Sequence, residues 1–284
     1  MEFIRRENAS GRNTHTLGET RFTDMTFAEF SAKHLMQKPI PNPSFGKVKA
    51  EPSLGEPRTK DWRAENVITE VKDQEQCGSC WAFSATGALE AAYAIKNKGK
   101  TVASEGGNKL KEFSEQELVD CSEDYGNGGC NGGLPTQAFD YVKDNQIALE
   151  GDYKYTARDG RCKADKKKER TAINGYVTLE DPNVKGLLDL VDKQPVSVGF
   201  EVQEDFPHYT GGIYKPKHNN CGESLNHGVL MVGYTVADSD DNSFYIVKNS
   251  WGPNWGEKGF FRMVLGKREG TCGIANEYDA YPTL

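Results

Sequence analysis

Seven cysteines, an odd number, constrain the fold of this chain more than any other feature of its sequence. They are Cys77, Cys80, Cys121, Cys130, Cys162, Cys221 and Cys272. An odd count is typical of three disulfides plus one free thiol, and disulfides indicate an oxidising compartment. Two of the cysteines lie in the sequence CGSC. Such a pair can be a redox centre, half of a zinc site, or two residues with unrelated roles.

The net charge of −7 over 284 residues argues against a nucleic-acid partner, because a surface that binds nucleic acid would be basic. No stretch approaches the ~20 apolar residues that span a bilayer, so we expect no membrane insertion. The start of the chain, MEFIRRENASGR, has no apolar h-region and shows no signal peptide. Because the cysteines indicate disulfides, we favour a missing natural start over cysteines that stay reduced.

Five prolines between residues 39 and 57 separate an N-terminal segment, residues 1–55, from the main body. This proline-rich stretch has no periodic apolar pattern and predicts an extended linker. Before it, apolar spacing over residues 22–36 predicts a helix. Thr26 is the predicted N-cap, and Glu29 is its capping-box partner.

Helices and strands are segregated in the main body. Apolar periodicity predicts a long helix over residues 80–96 and shorter helices over 114–120 and 134–144. The second half contains β-rich runs such as PVSVGFEV and HGVLMVGYTV, punctuated by glycine and asparagine. Helices first and strands second predict an α+β body with two subdomains.

Cys80 lies at the first turn of the long predicted helix, with Ser79 as its candidate N-cap. Backbone N–H groups and the helix dipole at that end stabilise an anion, and therefore favour thiolate over thiol. Trp81 and Phe83 would bury the far side of the helix. A cysteine in this position is a candidate nucleophile, and a nucleophilic cysteine needs a base beside it.

Among the five histidines, His227 is the best candidate for that base. It lies where a polar turn enters the hydrophobic strand HGVLMVGY. His15 and His34 belong to the N-terminal segment, whereas His208 and His218 lie in loops and are predicted to be surface residues. The alternative for His227 is a strand-end histidine whose ring is satisfied by the backbone.

Asn249 completes a candidate set, because its amide can orient an imidazole through the second ring nitrogen. It lies in the sequence KNSWGPNWG. Trp251 and Trp255, in the same sequence, would shield that hydrogen bond from water.

Five motifs occur in order along the body: CGSCWAFS, SEQELVDC, GCNGG, NHGV and NSWGPNWGEKGF. On these motifs, residues 56–284 resemble the papain family of cysteine peptidases. The ending CGIANEYDAYPTL and the lack of an inserted His-His loop are similar to its cathepsin L-like branch. The resemblance implies an α+β, papain-like fold of two subdomains. A mainly helical left domain (roughly 65–175) and a β-barrel-like right domain (roughly 176–284) would have the active-site cleft between them.

The same resemblance implies the disulfides Cys77–Cys130, Cys121–Cys162 and Cys221–Cys272, which leaves Cys80 as the free thiol. A redox pair would instead follow a strand in a βαβ unit, and a zinc site would need a second close pair of cysteines. Neither context is present. The resemblance implies no metal and no cofactor.

The implied activity is hydrolysis of peptide bonds through a Cys80 thioester, with His227 as base and acid and Asn249 orienting its ring. Gln74 would form the oxyanion hole with the backbone N–H of Cys80, the alternative being a surface loop glutamine. The implied substrate-binding residues are Gly78, Gly132, Gly133, Leu134, Pro135, Gly199, Gly228, Trp251 and Glu277. At the floor of the S2 pocket, the Glu277 carboxylate would accept arginine at P2 beside hydrophobic residues. The alternative is a carboxylate that faces solvent.

Residues 1–55 resemble the second half of the family's inhibitory propeptide. The sequence GETRFTD matches its G-x-N-x-F-x-D motif, with Thr20 in place of asparagine. We expect acid to promote cleavage near residues 53–57 through protonation of Asp24, which releases an enzyme starting close to Glu56. The implied partners are protein or peptide substrates, the chain's own propeptide and cystatin-type inhibitors. We expect a monomer that is secreted or held in a lysosome-like acidic compartment.

The sequence also departs from the family pattern at Glu75 and over residues 97–112. Glu75 stands where glycine is usual, and would disturb Gln74 if the position requires a positive φ. Residues 97–112 are longer than the family's loop by about ten residues and are expected to form a surface loop. Two other functions compete with the peptidase: a non-catalytic papain-like binding protein, and a thiol–disulfide exchanger that uses Cys77 and Cys80.

Overall fold

Helices dominate the first half of the body and strands the second, as the sequence predicts. The structure is a computed structural model that describes residues 2–9, 14–47, 53–99, 102–104, 107–217 and 221–284, so that His218 lies outside the described residues. The described α-helices are α1 (Glu2–Ala9), α2 (Phe27–His34), α3 (Cys80–Lys96), α4 (Glu115–Cys121), α5 (Pro135–Asn145) and α6 (Val184–Val191). The described strands are β1 (His15–Leu17), β2 (Ile40–Pro41), β3 (Arg58–Asp61), β4 (Val102–Ser104), β5 (Gly107–Lys109), β6 (Ile147–Ala148), β7 (Arg170–Thr171), β8 (Gly175–Thr178), β9 (Val196–Phe200), β10 (Tyr209–Tyr214), β11 (Ser224–Leu225), β12 (His227–Val236), β13 (Phe244–Lys248), β14 (Phe260–Val264) and β15 (Ala280–Thr283).

The predicted helices α2 to α5 are confirmed, three of them to within one residue at each end. The capping box of α2 is also confirmed: the Thr26 hydroxyl accepts from the Glu29 N–H at 3.2 Å, and the Glu29 carboxylate accepts from the Thr26 N–H at 2.8 Å. Helix α6 was not predicted; it begins at Val184, after the N-cap Asn183, whose side chain accepts from the Gly186 N–H.

Helix α3 is buried on almost every face, which explains its nearly uniform apolar sequence. It lies between α5 and the sheet strands β9, β12 and β15. Trp81 and Leu89 belong to the apolar cluster on the helical side. Glu90 is the exception, a buried carboxylate that accepts from Lys72 Nζ at 2.8 Å. The contact with β12 brings the N-terminus of α3 to the start of that strand.

A nine-stranded sheet forms the other half of the described body, in the order β1-β10-β14-β13-β12-β9-β15-β8, with β3 also paired to β12. The pairs are antiparallel except β10 with β14. Strand β12 is central, since β9 pairs with its start and β13 and β3 with its later residues. The start of β12 is therefore held rigidly on the face that packs against α3.

The expected β-barrel-like arrangement does not close within the described residues. The edge strands of the sheet are β1 and β8, and they do not pair with each other. The edge of β10 is instead occupied by β1, a strand of the N-terminal segment that pairs from His15 to Leu17. A strand from outside the body thus covers an edge that would otherwise expose unpaired backbone groups.

Residues 39–47 of the proline-rich linker are docked on the body. Strand β2 pairs with β11, and Asn42 Nδ2 donates to the Gly222 carbonyl at 2.8 Å. In the long 97–112 stretch, the described residues include the paired strands β4 and β5. No helix among the described residues is both long and apolar enough to cross a bilayer.

Candidate active site

Cys80 begins α3 and is fully buried. Its Sγ accepts a hydrogen bond from the Gly228 N–H at 3.3 Å, which places the thiol against the residue that follows His227. Burial raises the pKa of the Cys80 thiol to about 11, although the N–H groups of Gly228, Trp81 and Cys80 itself oppose this rise. In this structure, desolvation of the buried thiol outweighs the helix N-terminus that was expected to favour the thiolate.

His227 begins β12 and is also fully buried. Its Nε2 hydrogen-bonds Asn249 Oδ1 at 2.8 Å, so the alternative of a ring satisfied by the backbone is wrong. Its Nδ1 has no hydrogen-bond partner among the described residues, which leaves that nitrogen available for chemistry. Burial lowers the pKa of His227 to about 4, against the bond to Asn249, which raises it. Burial thus favours the neutral form of both Cys80 and His227.

Two tryptophans cover the histidine–asparagine pair, as the sequence predicts. The Trp251 ring lies 4.8 Å from the His227 ring at an interplanar angle of 32°. Trp255 packs edge-on against Trp251 at a centroid distance of 4.8 Å. Both indoles are buried. The arrangement excludes water from the bond that fixes the His227 ring.

Gln74 is buried, so the alternative of a surface glutamine is wrong. Ser250 Oγ donates to its Oε1 at 2.7 Å, which directs the amide nitrogen to the opposite side. That nitrogen donates to the carbonyl of Cys77 at 2.9 Å and to the carbonyl of His34 at 3.0 Å. A carbonyl of the N-terminal segment therefore occupies the donor that sequence analysis assigned to an oxyanion.

Glu75 has a φ of +52°, so the position does require the conformation that glycine adopts most easily. His34 Nδ1 donates to its backbone carbonyl at 2.7 Å, and its own N–H donates to Asp73 at 2.8 Å. These two bonds hold the strained residue in place. Gln74 remains buried and fully hydrogen-bonded beside it, so Glu75 does not displace the amide.

The three disulfides are Cys77–Cys130, Cys121–Cys162 and Cys221–Cys272, and Cys80 is the free cysteine. This pairing is the one that the resemblance implies. Cys77 is therefore half of a disulfide, which leaves no dithiol for exchange at CGSC. No cluster of three metal-ligating side chains occurs among the described residues.

The N-terminal segment passes directly over the site. The N–H of Met36 donates to the Asn226 carbonyl at 3.0 Å, and that of Gln37 donates to the Asn131 carbonyl at 2.9 Å. At Gly78 a Cβ would lie 2.7 Å from the carbonyl oxygen of Leu35, so only glycine permits this close approach. Met36 of this crossing and Cys80 belong to the same buried apolar cluster.

Some of the implied substrate-binding residues border the crossing. At Gly132, whose φ is +126°, a Cβ would lie 3.0 Å from the Met36 side chain. Leu134 and Gly133 are half-buried, and Pro135 is buried at the start of α5. Gly132 and its neighbours thus face a segment of the same chain.

On the sheet side, Gly199 in β9 pairs with Gly228 in β12. A Cβ at Gly199 would lie 3.6 Å from Leu225, a side chain that sequence analysis missed. The Asn276 amide donates to the Gly199 carbonyl at 2.9 Å. This bond places the next residue, Glu277, near this part of the site. Glu277 is exposed.

The structure also brings in residues that carry no motif signal. His34 and Met36 come from the N-terminal segment, and Tyr155 comes from the body. Ser79 is at the predicted cap position but makes no capping bond; its hydroxyl instead hydrogen-bonds the Tyr155 hydroxyl at 2.6 Å. Of the other histidines, His15 is buried in β1 and His208 is half-buried.

Comparison with known proteins agrees with this geometry. The family model for the papain family cysteine proteases matches residues 56–282. A cathepsin L-like proteinase of Fasciola hepatica is 42% identical over 270 residues, covering 94% of this chain and 78% of the relative. Cathepsin S of Bos taurus is 40% identical, covering 98% of this chain and 81% of the relative. The structure of digestive procathepsin L 3 from the larval midgut of Tenebrio molitor superimposes with a TM-score of 0.80 at 34% identity, covering 100% of this chain and 88% of that one.

Proposed function

Since the chain belongs to the papain family of cysteine proteases, we propose that it is the zymogen of a cysteine endopeptidase that acts through a Cys80 thioester. The observation that carries this proposal is one buried site in which the Cys80 thiol lies beside the start of β12 and His227 is bonded to Asn249. Residues 56–284 would be the peptidase domain. Residues 1–55 would be a partial inhibitory propeptide.

In the proposed reaction, Cys80 Sγ attacks the carbonyl carbon of the scissile peptide bond after giving its proton to His227. The oxygen that becomes negative is held by Gln74 Nε2 and the Cys80 N–H. His227 then protonates the leaving amine, and a thioester forms. A water molecule, deprotonated by His227, hydrolyses the thioester and releases the acid. Asn249 holds the imidazole in orientation throughout.

The N-terminal segment is proposed to inhibit this chemistry in two ways. It buries Cys80, which keeps the sulfur as a thiol. It also places the His34 carbonyl on the Gln74 amide nitrogen, where the oxyanion would bind. Three disulfides suit a secreted enzyme or one in a lysosome-like acidic compartment. We propose protein or peptide substrates, cystatin-type inhibitors as further partners, and a monomeric enzyme.

Acid is expected to release the N-terminal segment through histidines. Burial lowers the pKa of His15, His34 and His227 while the segment is docked. Each of them binds a proton more readily once the segment leaves, so protonation favours release. The contribution of these groups to docking is present above about pH 6.5 and is lost as pH falls below it. Asp24, the acid sensor expected from the sequence, is exposed.

The test is acid activation of the full chain, followed by hydrolysis of a fluorogenic Phe-Arg dipeptide. A Cys80→Ala chain serves as control, because it keeps the fold but lacks the nucleophile. Activity that appears below about pH 6.5 and is absent from the control supports the proposal. A parent chain that stays inactive after the N-terminal segment has been removed contradicts it.

The proposed P2 preference, for hydrophobic residues and for arginine, depends on the Glu277 carboxylate. Because this side chain is exposed, its attraction for a P2 arginine is screened by water and is worth about 1 kcal/mol. We expect Glu277→Ala to lower kcat/KM for a P2 arginine substrate about fivefold relative to a P2 phenylalanine substrate. Glu180→Ala, which removes another exposed carboxylate, is the matched control. An unchanged Arg/Phe ratio in Glu277→Ala would mean that Glu277 plays no part in specificity.

A further inference from the structure

The two proposed oxyanion donors lie on separate pieces of backbone. Gln74 belongs to the loop before α3, whereas the Cys80 N–H belongs to the first turn of α3. An oxyanion hole works only when both donors reach the same oxygen at about 2.7–3.1 Å, so the spacing between these two pieces matters. A contact between the two pieces of backbone is needed to set the distance between the two donors.

One side chain bonds to both pieces. The Tyr155 hydroxyl lies 2.8 Å from the Gln74 carbonyl oxygen and 2.6 Å from Ser79 Oγ. A carbonyl can only accept, so Tyr155 donates to Gln74 and Ser79 donates to Tyr155. The resulting chain of hydrogen bonds runs from the Ser79 hydroxyl, through the Tyr155 hydroxyl, to the backbone carbonyl of Gln74.

Tyr155 is itself held firmly. Its ring packs edge-on against Phe83 of α3 at a centroid distance of 4.9 Å, and its N–H donates to Glu150 at 3.0 Å. Burial raises the pKa of Tyr155 above its ordinary value, so the hydroxyl keeps the proton that it donates. The opposite side of Gln74 is held by Ser250, whose carbonyl accepts from the Gln74 N–H at 2.9 Å.

We propose that Tyr155 is a positioning residue for the oxyanion hole, whose hydroxyl sets the distance between the Gln74 amide and the Cys80 N–H. It contacts no reacting atom and acts through the Gln74 carbonyl and Ser79. The inference rests on the proposed peptidase function and adds to it a residue outside the five motifs.

The test uses the full chain after acid processing and compares Tyr155→Phe with the parent. The substitution keeps the ring that packs on Phe83 and removes only the hydroxyl. Because a shift of a fraction of an ångström in a donor weakens transition-state binding, we expect kcat to fall about tenfold with KM nearly unchanged. The matched control is Tyr153→Phe, in the same loop, whose hydroxyl bonds Asp120 at 2.7 Å. It should retain parental kcat.

Two further readouts separate positioning from a general structural role. Alkylation of Cys80 by iodoacetamide passes through no oxyanion, so its rate and pH profile should be the same in Tyr155→Phe and the parent. In a Gln74→Ala background, Tyr155→Phe should have little further effect, because its target is already absent. If Tyr155→Phe does not fold, Ser79→Ala tests the same hydrogen-bond chain from its other end, and a lowered kcat with unchanged alkylation is expected.

Three results would overturn the inference while the peptidase function stands. The first is parental kcat in Tyr155→Phe, or in Ser79→Ala if that variant replaces it. The second is an equal loss in kcat and in the alkylation rate, and the third is a full tenfold loss of kcat when Tyr155→Phe is added to Gln74→Ala. An inactive parent chain would instead overturn the proposed function, and the inference with it.

Discussion

Replacement of Gln74 by alanine is expected to lower kcat for peptide hydrolysis by about 10²–10³-fold and to change KM little. The amide nitrogen of Gln74 is oriented by the bond from Ser250 Oγ to its Oε1. The His34 carbonyl already accepts from this nitrogen in the structure, which demonstrates that a backbone carbonyl of a crossing peptide can reach it. The hydrogen bond from Gln74 Nε2 strengthens as the substrate oxygen becomes charged. Loss of this bond is therefore expected to lower kcat.

Gln76→Ala is the control for this measurement. Gln76 lies two residues further along the same loop but is exposed. It should keep parental kcat, whereas Gln74→Ala should not. Steady-state kinetics after acid processing, at several substrate concentrations, separate kcat from KM. A Gln74→Ala enzyme within threefold of the parent would show that the Cys80 N–H acts alone.

The thiol of Cys80 is expected to react with iodoacetamide at least about 100-fold faster after the N-terminal segment is removed. Under the segment, burial raises the pKa of the thiol to about 11. At about pH 6 the thiolate fraction is then about 300-fold lower than for a cysteine with the ordinary value of about 8.5. Exposure to water removes the desolvation penalty and leaves the helix N-terminus and His227 to favour the thiolate.

Mass spectrometry at timed intervals gives both alkylation rates directly. Cys80→Ala should incorporate no label before or after processing, because the other six cysteines are in disulfides. Equal rates for the intact and the processed chain would contradict the prediction, and would mean that the N-terminal segment does not hold the sulfur as a thiol.

Several features of this protein were predictable from short stretches of sequence. The capping box of α2 depends on Thr26 and Glu29, which are three residues apart and meet in any helix that starts there. The long helix from Cys80 follows from apolar spacing over residues 80–96. The candidate residues Cys80, His227 and Asn249 were found because each lies in a motif with its own local chemistry.

Other sequence interpretations failed because long-range contacts decided them. Ser79 was expected to cap α3, yet its hydroxyl is directed to Tyr155, 76 positions away. The right domain was expected to be barrel-like, but β1 of the N-terminal segment occupies the edge of β10. A local sequence pattern does not show which distant group hydrogen-bonds a hydroxyl or pairs with an edge strand.

The sequence by itself therefore determined the family, the main helices and the identity of the candidate nucleophile, base and orienting amide. Those features depend on residue type and on spacing along the chain. Only the tertiary structure decided the protonation of Cys80 and His227, the occupation of Gln74 by the His34 carbonyl and the link through Tyr155. Desolvation and hydrogen-bond partners depend on what the fold packs around a group, and here that packing comes from segments distant in the sequence.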